Sequence, residues 1–178
     1  MRAKSLAWAL SVPAAMLVAG LAVIQTATAQ KGTAPSADLS IHERGRYLVV
    51  IGGCNDCHTP GYPQQDGKVP DSEWLVGSPV GFQGPWGTSY PANLRLLVQG
   101  MTEDEWVTRT RAPMRPPMPW FNLRAMQESD VRAMYRYIRA MGPKGVAAPE
   151  AVAPGQAVRT PYVVFVPQNL PNAVRTSN

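Results

Sequence analysis

Apolar and polar residues fall into blocks along this chain, and each block predicts a different element. Leu6 to Ile24 is apolar apart from Ser11, Pro13 and Gly20, between the basic start Met1-Arg2-Ala3-Lys4 and the small-x-small run Ala27-Thr28-Ala29. Gln30 to Ala37 is polar. Asp38, Ser40 and Glu43 are helix-start residues, and Ile41, Gly45, Leu48 and Val49 recur at helical spacing, so a helix is predicted to about Ile51. Gly52-Gly53 ends it. From Cys54 to Pro91 no period of 2 or 3.6 is sustained, and this Gly-, Pro- and aromatic-rich stretch reads as ordered loop. Thr102 with Glu105 forms a capping box that opens a helix to about Arg111. Pro113, Pro116, Pro117 and Pro119 forbid helix in the segment that follows. Ser129 or Asp130 caps a last helix ending at Gly142-Pro143, with Val131, Met134, Tyr135, Ile138 and Met141 as its apolar stripe and Arg132, Arg136 and Arg139 on its wet face. Residues 143–178 are a Pro- and Ala-rich tail with one strand-like run, Tyr162 to Val166.

The N-terminal block has the charge, length and end of an export signal, so residues 1–29 are read as a signal peptide cleaved after Ala29. Retention of the same segment as an anchor, tethering the chain to a membrane, is the alternative. Both place the remainder outside the cytoplasm, in a bacterium the periplasm. Residues 30–37 then form a leader, 38–142 one domain, and 143–178 the tail.

Composition narrows the class. The chain has 178 residues, 45% hydrophobic and 16% charged, which excludes a disordered or acidic protein. Its 18 Pro and 15 Gly demand extensive loop, and two Cys exclude a multi-disulfide scaffold. Without Arg2 and Lys4 the 17 basic residues fall to 15 against 12 acidic, too mild and scattered a balance for nucleic-acid binding.

The pentapeptide Cys54-Asn55-Asp56-Cys57-His58 carries the chemistry. Two thiols three positions apart can each add to one vinyl group of a protohaem, and the adjoining imidazole can coordinate its iron. In an exported chain this is the attachment pattern of a single covalent haem c. A redox disulfide would need a thioredoxin-like alternation of strands and helices, which is missing. A zinc site would have to draw on Cys54, Cys57, His42 and His58, with Cys57 and His58 adjacent. A structural disulfide is the third competitor. For the sixth iron position, Met118 lies between Pro117 and Pro119 in a proline-stiffened stretch that can hold a thioether at fixed height; Met114 is the second choice. Met134 and Met141 are core by their spacing, Met101 is packing, and His42 sits exposed at a helix start. No catalytic residue is expected. Glu103, Asp104 and Glu105 are accounted for by helix capping.

With these motifs in this order, the chain resembles a class I monohaem c-type cytochrome of the bacterial periplasm. The resemblance rests on the helix with Gly45 and Tyr47, Cys54-Asn55-Asp56-Cys57-His58-Thr59, Pro117-Met118-Pro119-Trp120 and the closing helix Ser129 to Met141. The stretches Gly84 to Leu94 and Thr160 to Pro167 also look familiar from periplasmic members. It implies an all-α fold, three or more short helices and long loops around the haem, with the first and last helices crossing near perpendicular. Gly45 would permit their close approach, and Tyr135 or Tyr137 would pack across it. Pro60, Pro63 or Pro70 would accept the hydrogen bond of His58, and Trp86, Tyr90 and Asn93 would be wall or propionate contacts. The implied function is one-electron transfer, as a soluble carrier or as the cytochrome subunit of a dehydrogenase or oxidase complex, and not catalysis by the chain itself. A haem protein with a labile sixth ligand, binding a small gas or peroxide, is the alternative. Partners would be redox proteins: a dehydrogenase, an oxidase or another cytochrome. Seven arginines lie between Arg109 and Arg139. Arg111, Arg115 and Arg124 flank the methionine loop, where they either steer an acidic partner or pair with propionates.

Overall fold

A computed structural model describes residues 40–167. The expected signal peptide and the whole of the expected leader lie outside the described residues. Helix α1 (Ile41–Ile51) starts as its sequence predicts: Ser40 Oγ accepts from Glu43 N at 3.2 Å and Glu43 Oε2 accepts from Ser40 N at 2.9 Å. These bonds to Ser40 hold the Glu43 carboxyl below its ordinary pKa. Helix α6 (Glu128–Ala140) begins one to two residues before the predicted caps, because Gln127 is the N-cap. Asp130 instead forms a bidentate pair with Arg44, 2.9 Å on both arms, which joins α6 to α1.

These two helices make the main packing contact. At Gly45 a methyl group would overlap the Ala133 carbonyl and lie 2.6 Å from Tyr137 Cβ, so only glycine allows the approach. Tyr137 is therefore the residue across the crossing. Tyr135 turns elsewhere, donating to Met101 O at 2.8 Å with its ring 6.3 Å from that of Trp106. Val131, Met134 and Ile138 of α6 are fully buried with Val49 of α1 and Val98.

Helix α4 (Glu103–Arg111) has the predicted capping box, with Glu105 Oε2 accepting from Thr102 N at 2.7 Å. It is tied to α6 by Trp106 Nε1, which donates to Val131 O at 3.1 Å, and by Glu103, which pairs with Arg136 and Arg132. After the prolines comes a short helix the pattern does not announce, α5 (Trp120–Ala125). Arg111 Nη1 donates to Leu123 O, Arg124 O and Met126 O, satisfying the carbonyls at its end. The four-residue α3 (Leu94–Leu97) is capped by Asn93, whose Oδ1 accepts from Leu96 N. Within α3 the buried Arg95 donates to Gly142 O, Ser72 O and Met141 O, covering the C-terminal end of α6.

The segment read as loop contains a one-turn helix, α2 (Cys54–His58), and a hairpin of β1 (Gly81–Gly84) and β2 (Gly87–Ser89). Strand β3 (Tyr162–Val164) lies parallel to β1, with Phe82 opposite Val163, and the sheet order is β2-β1-β3. The all-α expectation is thus corrected: the protein is mostly helical but carries a three-stranded sheet. Strands of three or four residues show no readable alternation, and β3 comes from the far end of the chain. Among the described residues no helix is long and apolar enough to cross a membrane.

Candidate functional site

The site begins with a turn. Gly53, at φ +66°, lets the chain leave α1 and enter α2 at once. One helical turn then puts Cys54, Cys57 and His58, at i, i+3 and i+4, along one side. The opposite side is anchored in protein. Asn55 is 1% exposed and its Oδ1 accepts from Thr59 Oγ1 at 2.7 Å, while Thr59 Oγ1 accepts from Leu75 N at 2.8 Å. Gly77 N donates to His58 O at 2.8 Å. The turn is held from behind, and its reactive side lines a cavity of about 400 Å³.

His58 is 8% exposed, and its Nδ1 lies 2.7 Å from Ala92 O. A carbonyl only accepts, so Nδ1 carries the proton and Nε2 keeps a free lone pair. Burial lowers the imidazole pKa, against the opposing effect of that hydrogen bond, so the ring is neutral. The acceptor is Ala92, not Pro60, Pro63 or Pro70. Leu94 N to Leu75 O and Ser78 N to Pro91 O draw the 91–94 backbone up against the segment after the turn. Cys54 and Cys57 are free thiols. Burial, with the charge of Asp56 adding to it, pushes Cys54 up to about 12 and raises Cys57.

The other walls come from across the chain. Met114 and Met118 both line the cavity, and their loop is pinned by Met118 N to Arg115 O at 3.2 Å and by Ser89 Oγ donating to Pro116 O. Leu94 and Leu97 from α3, Leu123 from α5, Met134 from α6 and Phe82 from β1 make the surround apolar. Arg109 and Arg115 stand at the lining, and among the described residues neither has an acidic partner. Arg111 is committed to the end of α5, and Arg124 lies over the Trp120 ring at 4.7 Å.

Tyr90 lines the cavity, with its hydroxyl 2.6 Å from Thr160 Oγ1. Trp86 and Asn93 do not line it. Trp86 sits beside Gly84 and Phe165, its buried Nε1 without a partner. Asn93 has its amide engaged by α3 and by the tail, donating to Lys144 O and Val146 O. His42 is stacked edge-on against Tyr137 at 5.0 Å. Among the described residues no three His, Cys, Asp or Glu side chains gather as a metal cage, so the zinc set is not assembled. No pattern in the sequence marks Ala92, Pro149 or Ala151 as part of the site. A backbone acceptor can be supplied by any residue, and Pro- and Ala-rich tails carry no period.

A porphyrin fits these residues by its chemistry. Two thiols, an imidazole nitrogen with a fixed tautomer and thioether sulfurs meet around one largely apolar space, of the size expected for ligand pockets.

Neither a protein-family model nor a solved structure matches the chain. Two curated proteins do, each named as the cytochrome c subunit of a quinone alcohol dehydrogenase, from Gluconacetobacter polyoxogenes and Komagataeibacter europaeus. Each is 27% identical over 151 residues, which cover 79% of this chain but only 28% of the relative's length.

Proposed function

We propose that this chain is a c-type cytochrome of class I that carries single electrons in the periplasm. Haem c, when bound, supplies a reversible one-electron Fe(III)/Fe(II) couple. Cys54 and Cys57 would hold it through thioether bonds, His58 Nε2 would be the proximal iron ligand and Met118 the distal one, with Met114 the second choice. The observation that carries the reading is the buried His58, pinned through Nδ1 to Ala92 O, on a cavity shared with both thiols and both methionines. The distant likeness to cytochrome c subunits supports electron transfer in general.

Each residue has a definite part. The Ala92 carbonyl fixes the imidazole plane and makes Nε2 a better donor. Leu94, Leu97, Leu123 and Phe82 exclude water, which keeps charge changes inside the cavity from being screened. A soft methionine sulfur favours the reduced state, and the prolines around Met118 limit the loop's freedom to leave. Arg109 and Arg115 give the mouth a positive potential.

The chain is an electron-transfer component, not an enzyme by itself. Its relatives are named as dehydrogenase subunits, so a dehydrogenase is the partner we propose in kind. The N-terminal segment would be cleaved after Ala29, leaving the domain soluble.

The test is expression in a host that attaches c-type haem. The mature chain should gain the mass of one haem, and Cys54→Ala/Cys57→Ala should gain none. The ferric protein should show the weak near-infrared band of methionine ligation, lost in Met118→Ala and kept in Met114→Ala. An exported wild-type chain without added mass overturns the proposal; a band lost only in Met114→Ala moves the ligand to Met114.

A further inference from the structure

The sequence assigns no work to the residues beyond Pro143, yet they form part of the cavity. Pro149 and Ala151 line it together with Cys54, His58 and Met118. The backbone beside them is fastened to β2: Thr88 N donates to Val152 O at 2.8 Å and Val152 N donates to Thr88 O at 2.9 Å. Gly87, at φ +91°, makes the approach possible, because a methyl there would overlap the Val152 carbonyl and lie 2.9 Å from Pro154 N. Farther along, Thr160 Oγ1 meets the Tyr90 hydroxyl at 2.6 Å, Gly81 N donates to Pro161 O at 2.9 Å, and Phe165 N donates to Gln83 O at 2.7 Å. At the other end Asn93 Nδ2 donates to Lys144 O at 2.7 Å and Val146 O at 3.0 Å. Asn93 directly follows Ala92, whose carbonyl holds His58.

We infer that residues 144–165 are a strap that closes one wall of the haem cavity and, through Asn93, braces the carbonyl orienting His58; the inference rests on the function proposed above. The half-buried Pro149 and the more exposed Ala151 add apolar residues to the lining, so the strap reduces the access of water from that side. A drier cavity disfavours the more highly charged ferric state, so a fastened strap raises the midpoint potential. Asn93 is in this sense a positioning residue, acting on His58 through its neighbour.

The test uses the full-length, haem-loaded protein. Val152→Pro removes the donor to Thr88 O, and Thr160→Val removes the partner of Tyr90 without touching the lining. Potentiometric titration should give a lower midpoint in both, with the larger drop in Val152→Pro. Hydrogen exchange at the Thr88 amide should quicken roughly tenfold in Val152→Pro, the size expected when one or two backbone hydrogen bonds are lost from a local opening. Thr160→Val should change both in the same direction by less, and it decides the matter alone if Val152→Pro does not fold. A midpoint unchanged in the variants while exchange quickens shows that the strap only stabilises, and overturns the inference. So does exchange unchanged in both. A wild-type chain that takes up no haem fails differently, because it overturns the reading of the site itself, whereas failure of the strap leaves a loaded wild type matched by its variants.

Discussion

Replacing Gly45 with Ala isolates the contact between α1 and α6. On helix propensity alone the change should stabilise by about 1 kcal/mol. The structure says otherwise. The new methyl would overlap the Ala133 carbonyl, lie 2.6 Å from Tyr137 Cβ and lie 2.9 Å from the Ala133 carbonyl carbon. None of these atoms can rotate away, since two are backbone and the third is the first atom of its side chain. The helices must separate, which opens space around Val49 and Ile138, both 0% exposed. Overpacking of this kind costs about 1–3 kcal/mol, and more where backbone must move. The upper end minus the propensity gain leaves a net loss of about 2 kcal/mol, or a fall in Tm on the order of 5–10 °C. Thermal and urea unfolding measure it. Gly100→Ala is the control, because a methyl there meets nothing within 4 Å. If Gly45→Ala unfolds at the wild-type midpoint or above it, the close approach of the two helices is refuted.

Other expectations follow from single contacts. Thr59→Val orphans both Asn55 Oδ1 and Leu75 N behind the cysteine turn, and should cost about 2 kcal/mol in urea unfolding; a neutral result would mean that turn is held by other means. Pairing with Arg136 and Arg132 lowers the Glu103 pKa, so its contribution is present above the ordinary carboxylate range and lost as pH falls through the lower folded value. Glu103→Gln should therefore lose about 1 kcal/mol at neutral pH, discounted for solvent screening, and the difference should shrink below about pH 4. An unchanging difference from pH 7 to acid would count against the pairing. Electron exchange with a small anionic redox reagent should slow as salt rises, and Arg115→Glu should flatten that dependence; salt-independent rates in the wild type would remove the positive mouth from the picture.

What could be read from sequence follows from which forces act locally. Ser40 with Glu43 and Thr102 with Glu105 satisfy helix ends within four residues, and the α6 stripe repeats over several turns, so α1, α4 and α6 are legible. The hairpin is not. Its strands are too short for a period, and its glycines are there because Trp86 crowds Gly84 and Val152 crowds Gly87, relations visible only in three dimensions. Helix α5 hides behind prolines and owes its end to Arg111, a residue outside it. In the site, Cys54, Cys57 and His58 are legible because their chemistry depends on adjacency along the chain. Ala92 is not, since its contribution is a peptide oxygen. Asn93 shows the opposite hazard: its side chain looks suited to a ligand, yet three backbone groups already engage it.

The five residues of α2 have a temporal meaning as well as a spatial one. Both sulfurs and the imidazole reside in one uninterrupted stretch, so on the export proposed above this stretch is complete as soon as residue 58 emerges. Everything that encloses it, from Ala92 through Met118 to Ala151, arrives afterwards. On the proposed function, attachment precedes closure, and the later segments wrap a group already fastened in place.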